Sequence, residues 1–106
     1  MATSLDPGMA SAWYNLADAQ EETGRLRDAI ASLETALRVC PDFPDAHYNL
    51  AVFCEMDGRP GAARRHWRAY LSFDQTSTWA QVARERLLIG EAARSHGDLL
   101  AGRLRD

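Results

Sequence analysis

The sequence contains no lysine, because all twelve of its basic residues are arginine. The chain therefore has neither a lysine for Schiff-base chemistry nor the lysine of a phosphate-binding loop. Cysteine is also scarce: there are 2 cysteines in 106 residues, too few for a disulfide framework. The spacing of Cys40 and Cys54 fits neither a zinc site nor a redox pair. We expect both thiols to be reduced and partly buried.

Long apolar runs are missing as well, and we expect no leader sequence. No uncharged apolar stretch approaches the roughly 18 residues that a membrane-spanning helix needs, and the first seven residues lack the basic start and apolar core of a signal peptide. Apolar residues make up 46% of the chain and charged residues 25%, which is typical of a folded globular protein. We expect one domain over residues 1–106, located in the cytoplasm and outside any membrane.

The sequence also lacks the motifs of an enzyme or a cofactor site. It has no glycine-rich phosphate loop, serine nucleophile elbow or paired-carboxylate motif. The histidines His47, His66 and His96 lack the spacing of a two-ligand metal site. We expect His47 to be packed and the other two to lie on the surface, and Cys54 to face the core as an inert thiol. The sequence predicts no catalysis, no cofactor and no metal.

The chain does contain an internal repeat with a period of 34 residues. The segment AWYNLADAQEETGRLRDAI, beginning at Ala12, aligns without a gap with AHYNLAVFCEMDGRPGAAR, beginning at Ala46. Nine of the aligned positions are identical, including the four residues YNLA and the pair GR. This similarity indicates two copies of one structural unit.

Apolar residues within each copy recur at steps of three and four, which is typical of helices with one buried face. Gly24 and Gly58 interrupt this spacing where a helix C-cap needs a left-handed backbone. We predict helices over residues 9–23, 26–39, 44–57 and 60–73, and a longer one over 76–94 capped by Thr76, Ser77 or Thr78. We also predict a short helix from Asp98 to about Arg105. The residues predicted to face the core include Trp13, Leu16, Ala17, Ala29, Ile30, Leu33, Leu50, Ala51, Cys54, Ala63, Trp67 and Tyr70.

The order of tryptophan, leucine, alanine, glycine and proline positions in the first copy, largely kept in the second, resembles the tetratricopeptide repeat. The first copy carries this pattern in Trp13, Leu16, Ala17, Gly24, Ala29, Leu33, Ala36 and Pro41, and the second keeps Leu50, Ala51, Gly58, Ala63 and Trp67. The resemblance implies an all-α fold, in which antiparallel helix-turn-helix repeats stack as a right-handed α-solenoid. Repeat 1 would cover about residues 10–43 and repeat 2 about 44–77. Residues 78–106 would form a capping helix or a partial third repeat.

The same resemblance implies a concave groove, lined by the first helices of successive repeats, that holds a peptide or a partner protein. The asparagines there could bond to a ligand backbone, the aromatic rings could anchor a ligand, and the acidic residues favour a basic ligand. The predicted groove residues are Tyr14, Asn15, Asp18, Glu21, Glu22, Tyr48, Asn49, Val52, Glu55, Met56, Trp79, Val82 and Arg86.

Some members of the family bind the carboxylate tails of chaperones through a clamp of lysine, arginine and asparagine. Asn49 matches one clamp asparagine in this sequence. The corresponding basic positions hold Tyr14, Trp79 and Ala83 instead, so we do not expect this chain to bind chaperone tails.

Two other functions fit the distribution of charge. Residues 1–58 hold ten acidic and three basic residues, for a formal charge of about −7, whereas residues 59–106 hold five acidic and nine basic residues, for about +4. Copies could therefore stack head to tail as a homodimer or larger assembly. Arg64, Arg65 and Arg68 could instead bind nucleic acid. We rank nucleic acid last, because the chain is acidic overall with a net charge of −3.

Overall fold

The computed structural model describes residues 7–89, which form five α-helices and contain no strand. The helices are α1 (Pro7–Glu22), α2 (Leu26–Val39), α3 (Pro44–Met56), α4 (Pro60–Phe73) and α5, which is helical over the described residues 78–89. The predicted all-α fold of helix pairs is confirmed, and its first four helices agree with the prediction to within two residues. The rest of the predicted long helix, over 90–94, and the short helix from Asp98 lie outside the described residues. The right-handed superhelix stays a prediction.

Tight glycine turns join the helices within each pair. Gly24 and Gly58 have positive φ angles of 82° and 72°, a conformation that glycine adopts at little cost because it has no Cβ. Around the first turn, the N–H of Arg25 donates to the carbonyl of Gln20 at 2.8 Å, and the same bond recurs 34 residues later. These bonds satisfy carbonyls at the helix end that would otherwise lack partners. The predicted left-handed glycine caps are therefore confirmed.

The starts of the later helices are also set by local sequence. Pro44 and Pro60 occupy the first turns of α3 and α4, where a missing N–H costs no helical hydrogen bond. Ser77 caps α5, since its Oγ accepts a hydrogen bond from the N–H of Ala80 at 3.1 Å. Of the three predicted caps, the structure uses Ser77.

The helices pack in sequence order: α1 packs against α2, α3 against α4, and α2 also contacts α3. The alanines predicted to face the core are all at most 1% exposed, namely Ala17, Ala29, Ala51 and Ala63. α5 joins the same core through the buried Ala80 and Ala83. The core cluster consists of Ala17, Ala29, Ile30, Leu33, Ala46, Leu50, Ala51, Phe53, Cys54, Ala63, Trp67, Tyr70, Ala80 and Ala83.

One predicted core residue lies on the surface. Leu16 is 42% exposed, whereas Leu50, its equivalent in the second copy, is completely buried. The reason is tertiary: α3 has α2 packed against it, and within residues 7–89 no helix is placed against the corresponding side of α1. The repeat therefore presents an apolar side chain at the α1 end of the stack.

Both cysteines are free thiols, as expected. Cys54 is buried in the core, and Cys40 is half-buried after the end of α2. Burial is the main cause that raises the pKa of the Cys54 thiol above its usual value. Because the thiolate is the reactive form, this environment keeps Cys54 unreactive.

Candidate partner-binding groove

Two adjoining cavities lie along α3, on the side that faces α1 and α5. The first, called here the aromatic cavity, has a volume of about 240 Å³ and is lined by Tyr14, Asp45, Tyr48, Asn49, Tyr70 and Trp79. The second, called the mixed cavity, has a volume of about 420 Å³ and is lined by Tyr48, Val52, Glu55, Met56, Trp67, Val82 and Arg86. Tyr48 belongs to both cavities. Together they form one groove to which four helices contribute side chains.

Tyr48 is held at the centre of this groove by three other aromatic rings. Its ring meets Trp67 at a centroid distance of 4.9 Å, Tyr70 at 5.4 Å and Trp79 at 5.3 Å, each close to edge-on. Edge-to-face pairs are favourable because the positive ring edge meets the negative ring face. These contacts fix Tyr48 and connect α3 to both α4 and α5.

The carboxylate of Glu55 is already paired inside the groove. It accepts a hydrogen bond from Trp67 Nε1 at 2.9 Å, and it forms an ion pair with Arg86, whose Nε lies 3.0 Å from Oε1. The hydrogen bond to Glu55 is also the main cause that raises the pKa of Arg86. The sequence predicts that the Glu55 carboxylate is available to a ligand. In the structure most of its charge is balanced by Arg86, which lies 31 positions later in the chain.

Asn49 connects α3 to α1. Its Nδ2 donates to Asp18 Oδ1 at 3.2 Å, so one of the donors assigned to ligand binding is used within the protein. Burial and the nearby Glu22 raise the pKa of the Asp18 carboxyl, and the bond from Asn49 opposes them. This bond fixes the amide at the edge of the aromatic cavity.

The structure brings nine of the thirteen predicted groove residues together around the two cavities. The other four, Asn15, Asp18, Glu21 and Glu22, line neither cavity and lie further along α1. Their role in binding, and that of the other nine, stays a prediction.

Three residues that line the cavities were not predicted from the sequence, namely Asp45, Trp67 and Tyr70. Asp45 could have been found, because it lies one helical turn before Tyr48 and Asn49 and therefore shares their face.

Away from the groove, a histidine pair joins α3 to α4. Nδ1 of His47 lies 3.1 Å from Nδ1 of His66, so one ring donates and the other accepts. Burial, followed by the neighbouring His47 and Arg65, lowers the pKa of His66 to about 4. The expectation that His66 lies on the surface is wrong, because its ring is half-buried against His47. Within residues 7–89, no cluster of three potential metal ligands is present.

Comparison with known proteins identifies the repeat. The sequence profile of the tetratricopeptide repeat matches residues 2–37 and 14–78. Over 92 residues, or 87% of the chain, the sequence is 33% identical to a tetratricopeptide repeat and J domain-containing co-chaperone from Cryptococcus neoformans. The chain spans only 17% of that protein's length. In the part of the chain that the structure describes, no helix is long and apolar enough to cross a membrane.

Proposed function

Because the chain belongs to the tetratricopeptide repeat family, whose repeats mediate contacts between proteins, we propose that its groove binds a peptide segment of a partner protein. The observation that carries the proposal is the pair of cavities meeting at Tyr48. Together they offer aromatic, apolar and polar surface to an extended or helical segment. Ligand sites in proteins are typically concave and mostly apolar, with a few polar groups that orient the ligand.

The exposed apolar residues of the groove support this function. Trp79 is 61% exposed and Met56 is 55% exposed, and each lines one of the cavities. Aromatic and methionine side chains that remain exposed on a folded surface are characteristic of binding hot spots. The ligand is not expected to be a free carboxylate tail, because tyrosine, tryptophan and a buried alanine stand where a clamp would need basic residues.

The groove can be tested with a matched pair of methionines. Met56 lines the mixed cavity, whereas Met9 on α1 is similarly exposed, at 50%, and lines neither cavity. Peptides would be selected from a random display library against the wild-type protein, and their dissociation constants measured by calorimetry. Met56→Ala is expected to weaken binding about fivefold, because it removes an apolar contact, while Met9→Ala leaves binding unchanged.

Comparison of the two methionine variants can support or reject the groove as the ligand site. Selected peptides that bind the Met56→Ala and Met9→Ala variants equally well would show that the ligand site lies elsewhere. Circular dichroism spectra of both variants should match the wild type, because both side chains are largely in solvent.

Self-association is the second candidate function, favoured by apolar side chains at the two ends of the helix stack. Leu16 is 42% exposed on α1, while Leu88 and Ile89 are 66% and 56% exposed on α5. End-to-end contact between copies would bury these residues and bring the acidic first half of one chain near the basic second half of another.

Sedimentation equilibrium distinguishes this second function. If copies associate through their ends, the average mass rises with concentration and falls at high salt. Leu88→Glu is then expected to weaken association at least about tenfold, because the carboxylate would be buried without a partner. Ala31→Glu adds the same charge at an exposed position of α2, which is not an end helix of the stack, and serves as the control. A constant monomer mass at every concentration would exclude this function.

A further inference from the structure

The lining of the aromatic cavity differs from that of a cavity that binds only apolar side chains. Four of its six lining residues are aromatic, and they come from four different helices: Tyr14 from α1, Tyr48 from α3, Tyr70 from α4 and Trp79 from α5. The other two are Asp45 and Asn49. None of the six is basic.

The rings contact one another edge to face rather than as a parallel stack. Tyr48 meets Tyr70 at an interplanar angle of 72° and Trp79 at 86°. In an edge-to-face pair the edge of one ring covers part of a face of the other, and the remaining ring surface can border the cavity. Trp79 is the most exposed of the four rings, at 61%, whereas Tyr70 is only 5% exposed.

The aromatic cavity carries a negative charge among its lining residues. Asp45 is its only charged lining residue, it is exposed, and within the described helices it has no basic side chain at ion-pair distance. The pKa of Tyr14 reflects this charge. After the larger effect of burial, the charges of Asp18 and Asp45 raise the pKa of Tyr14, against a smaller opposing effect of Asn49.

The nearest cation in the groove, Arg86, lies outside the aromatic cavity, but its charge reaches Tyr48, where it lowers the pKa of the phenol against the larger effect of burial. Arg86 lines the mixed cavity rather than the aromatic one, and its guanidinium is held by Glu55. The aromatic cavity therefore has ring faces and a free carboxylate but no cation of its own among its lining residues.

We propose that the aromatic cavity is a cage for an organic cation, namely a lysine or arginine side chain of the segment bound in the groove. This inference rests on the proposed function and specifies which ligands the groove selects. The ring faces attract the cation through their quadrupoles, and Asp45 provides the opposite charge at the rim. A ligand with an acidic residue at this position is rejected, and a neutral apolar residue binds more weakly.

The cage can be tested without a natural partner. The probes are N-acetyl-lysine methylamide, the corresponding arginine compound, and N-acetyl-norleucine methylamide, which retains the aliphatic chain of lysine but has no charge. Each would be titrated into ¹⁵N-labelled protein while the indole N–H signals are followed by NMR. The chain has 3 tryptophans, so Trp13, which lines neither cavity, provides an internal reference for Trp79.

The expected result is a saturable shift of the Trp79 signal with the lysine or arginine probe, and binding of norleucine that is about three- to tenfold weaker. Asp45→Asn should weaken the cationic probes by about threefold or more. Asp42→Asn removes the same charge from an exposed residue outside the cavity and should leave the affinity unchanged. Whichever cationic probe binds more tightly identifies the preferred side chain.

Equal binding of the norleucine and lysine probes, or the absence of any saturable shift of Trp79, would overturn the cage. So would an Asp45→Asn variant with unchanged affinity for both cations. The peptide selection described above uses the mixed cavity and Met56, so the groove could still bind peptides if the cage fails. Conversely, selected peptides that ignore Met56 would reject the groove without affecting the titration of the cage.

Discussion

Ala63→Arg is expected to lower the free energy of unfolding by about 3 to 5 kcal/mol. Ala63 is 1% exposed and lies in the core cluster with Ala51 and Trp67, between α3 and α4. An arginine at this position would bury a charge in an apolar cluster, and its volume would push the two helices apart. A domain of this size is stabilised by only about 5 to 15 kcal/mol in total. Urea denaturation followed by circular dichroism measures the loss directly.

The matched control for this variant is Ala31→Arg. Ala31 is an exposed residue of α2, where a long basic side chain can extend into water. Its effect should stay within about 0.5 kcal/mol of the wild type. If both variants unfold at the same urea concentration, Ala63 does not lie at a helix contact and the packing of the second repeat is different from that described here.

The second large effect is a dependence of stability on pH that arises from His66. An unfolded histidine has a pKa of 6.5, whereas the pKa of His66 in the folded protein is about 4. Between these values the unfolded state binds a proton that the folded state excludes, so stability is full above pH 6.5 and falls as the pH drops towards 4. We expect a loss of about 1 to 2 kcal/mol, less than the complete shift would give, because His66 is partly exposed to solvent.

His66→Gln isolates this contribution. Glutamine can still hydrogen-bond to His47 but does not titrate, so the part of the pH dependence due to His66 should disappear. The measurement is the free energy of unfolding in urea at pH 7 and at pH 4 for both proteins. If the two proteins lose equal stability between these pH values, His66 does not exclude the proton in the folded protein. Asp74 titrates below this window, because hydrogen bonds from Ser77 and Tyr70 lower its pKa to about 2.

Local features of the chain were predictable because they depend on residues close in sequence. The helix limits follow from the spacing of apolar residues and from prolines that fit a first turn. Gly24 and Gly58 end their helices because glycine adopts the left-handed backbone at little cost, whereas a residue with a side chain would be strained there. The 34-residue period adds further information, since two copies that align without a gap must fold into the same unit. The family resemblance adds the expectation of a groove along the first helices of successive repeats, which stays a prediction.

The polar contacts that join neighbouring helices could not be predicted in the same way, because they depend on positions at which the two copies differ. His66 occupies the position of Ser32 in the first copy, and only the packing of α4 on α3 brings it to His47. In the same way, Arg86 reaches Glu55 only because α5 lies beside α3. No spacing within one helix indicates either pair.

The sequence alone thus determined the helices, their glycine turns and the repeat family, because each follows from interactions within about one turn or from the period itself. The tertiary structure decided which side chains remain available to a ligand. It buried Leu50 and exposed Leu16, it neutralised Glu55, and it placed Asp45 among four aromatic rings. The physical reason is that burial and charge compensation depend on which helix lies alongside, and residues far apart in the chain supply that neighbour.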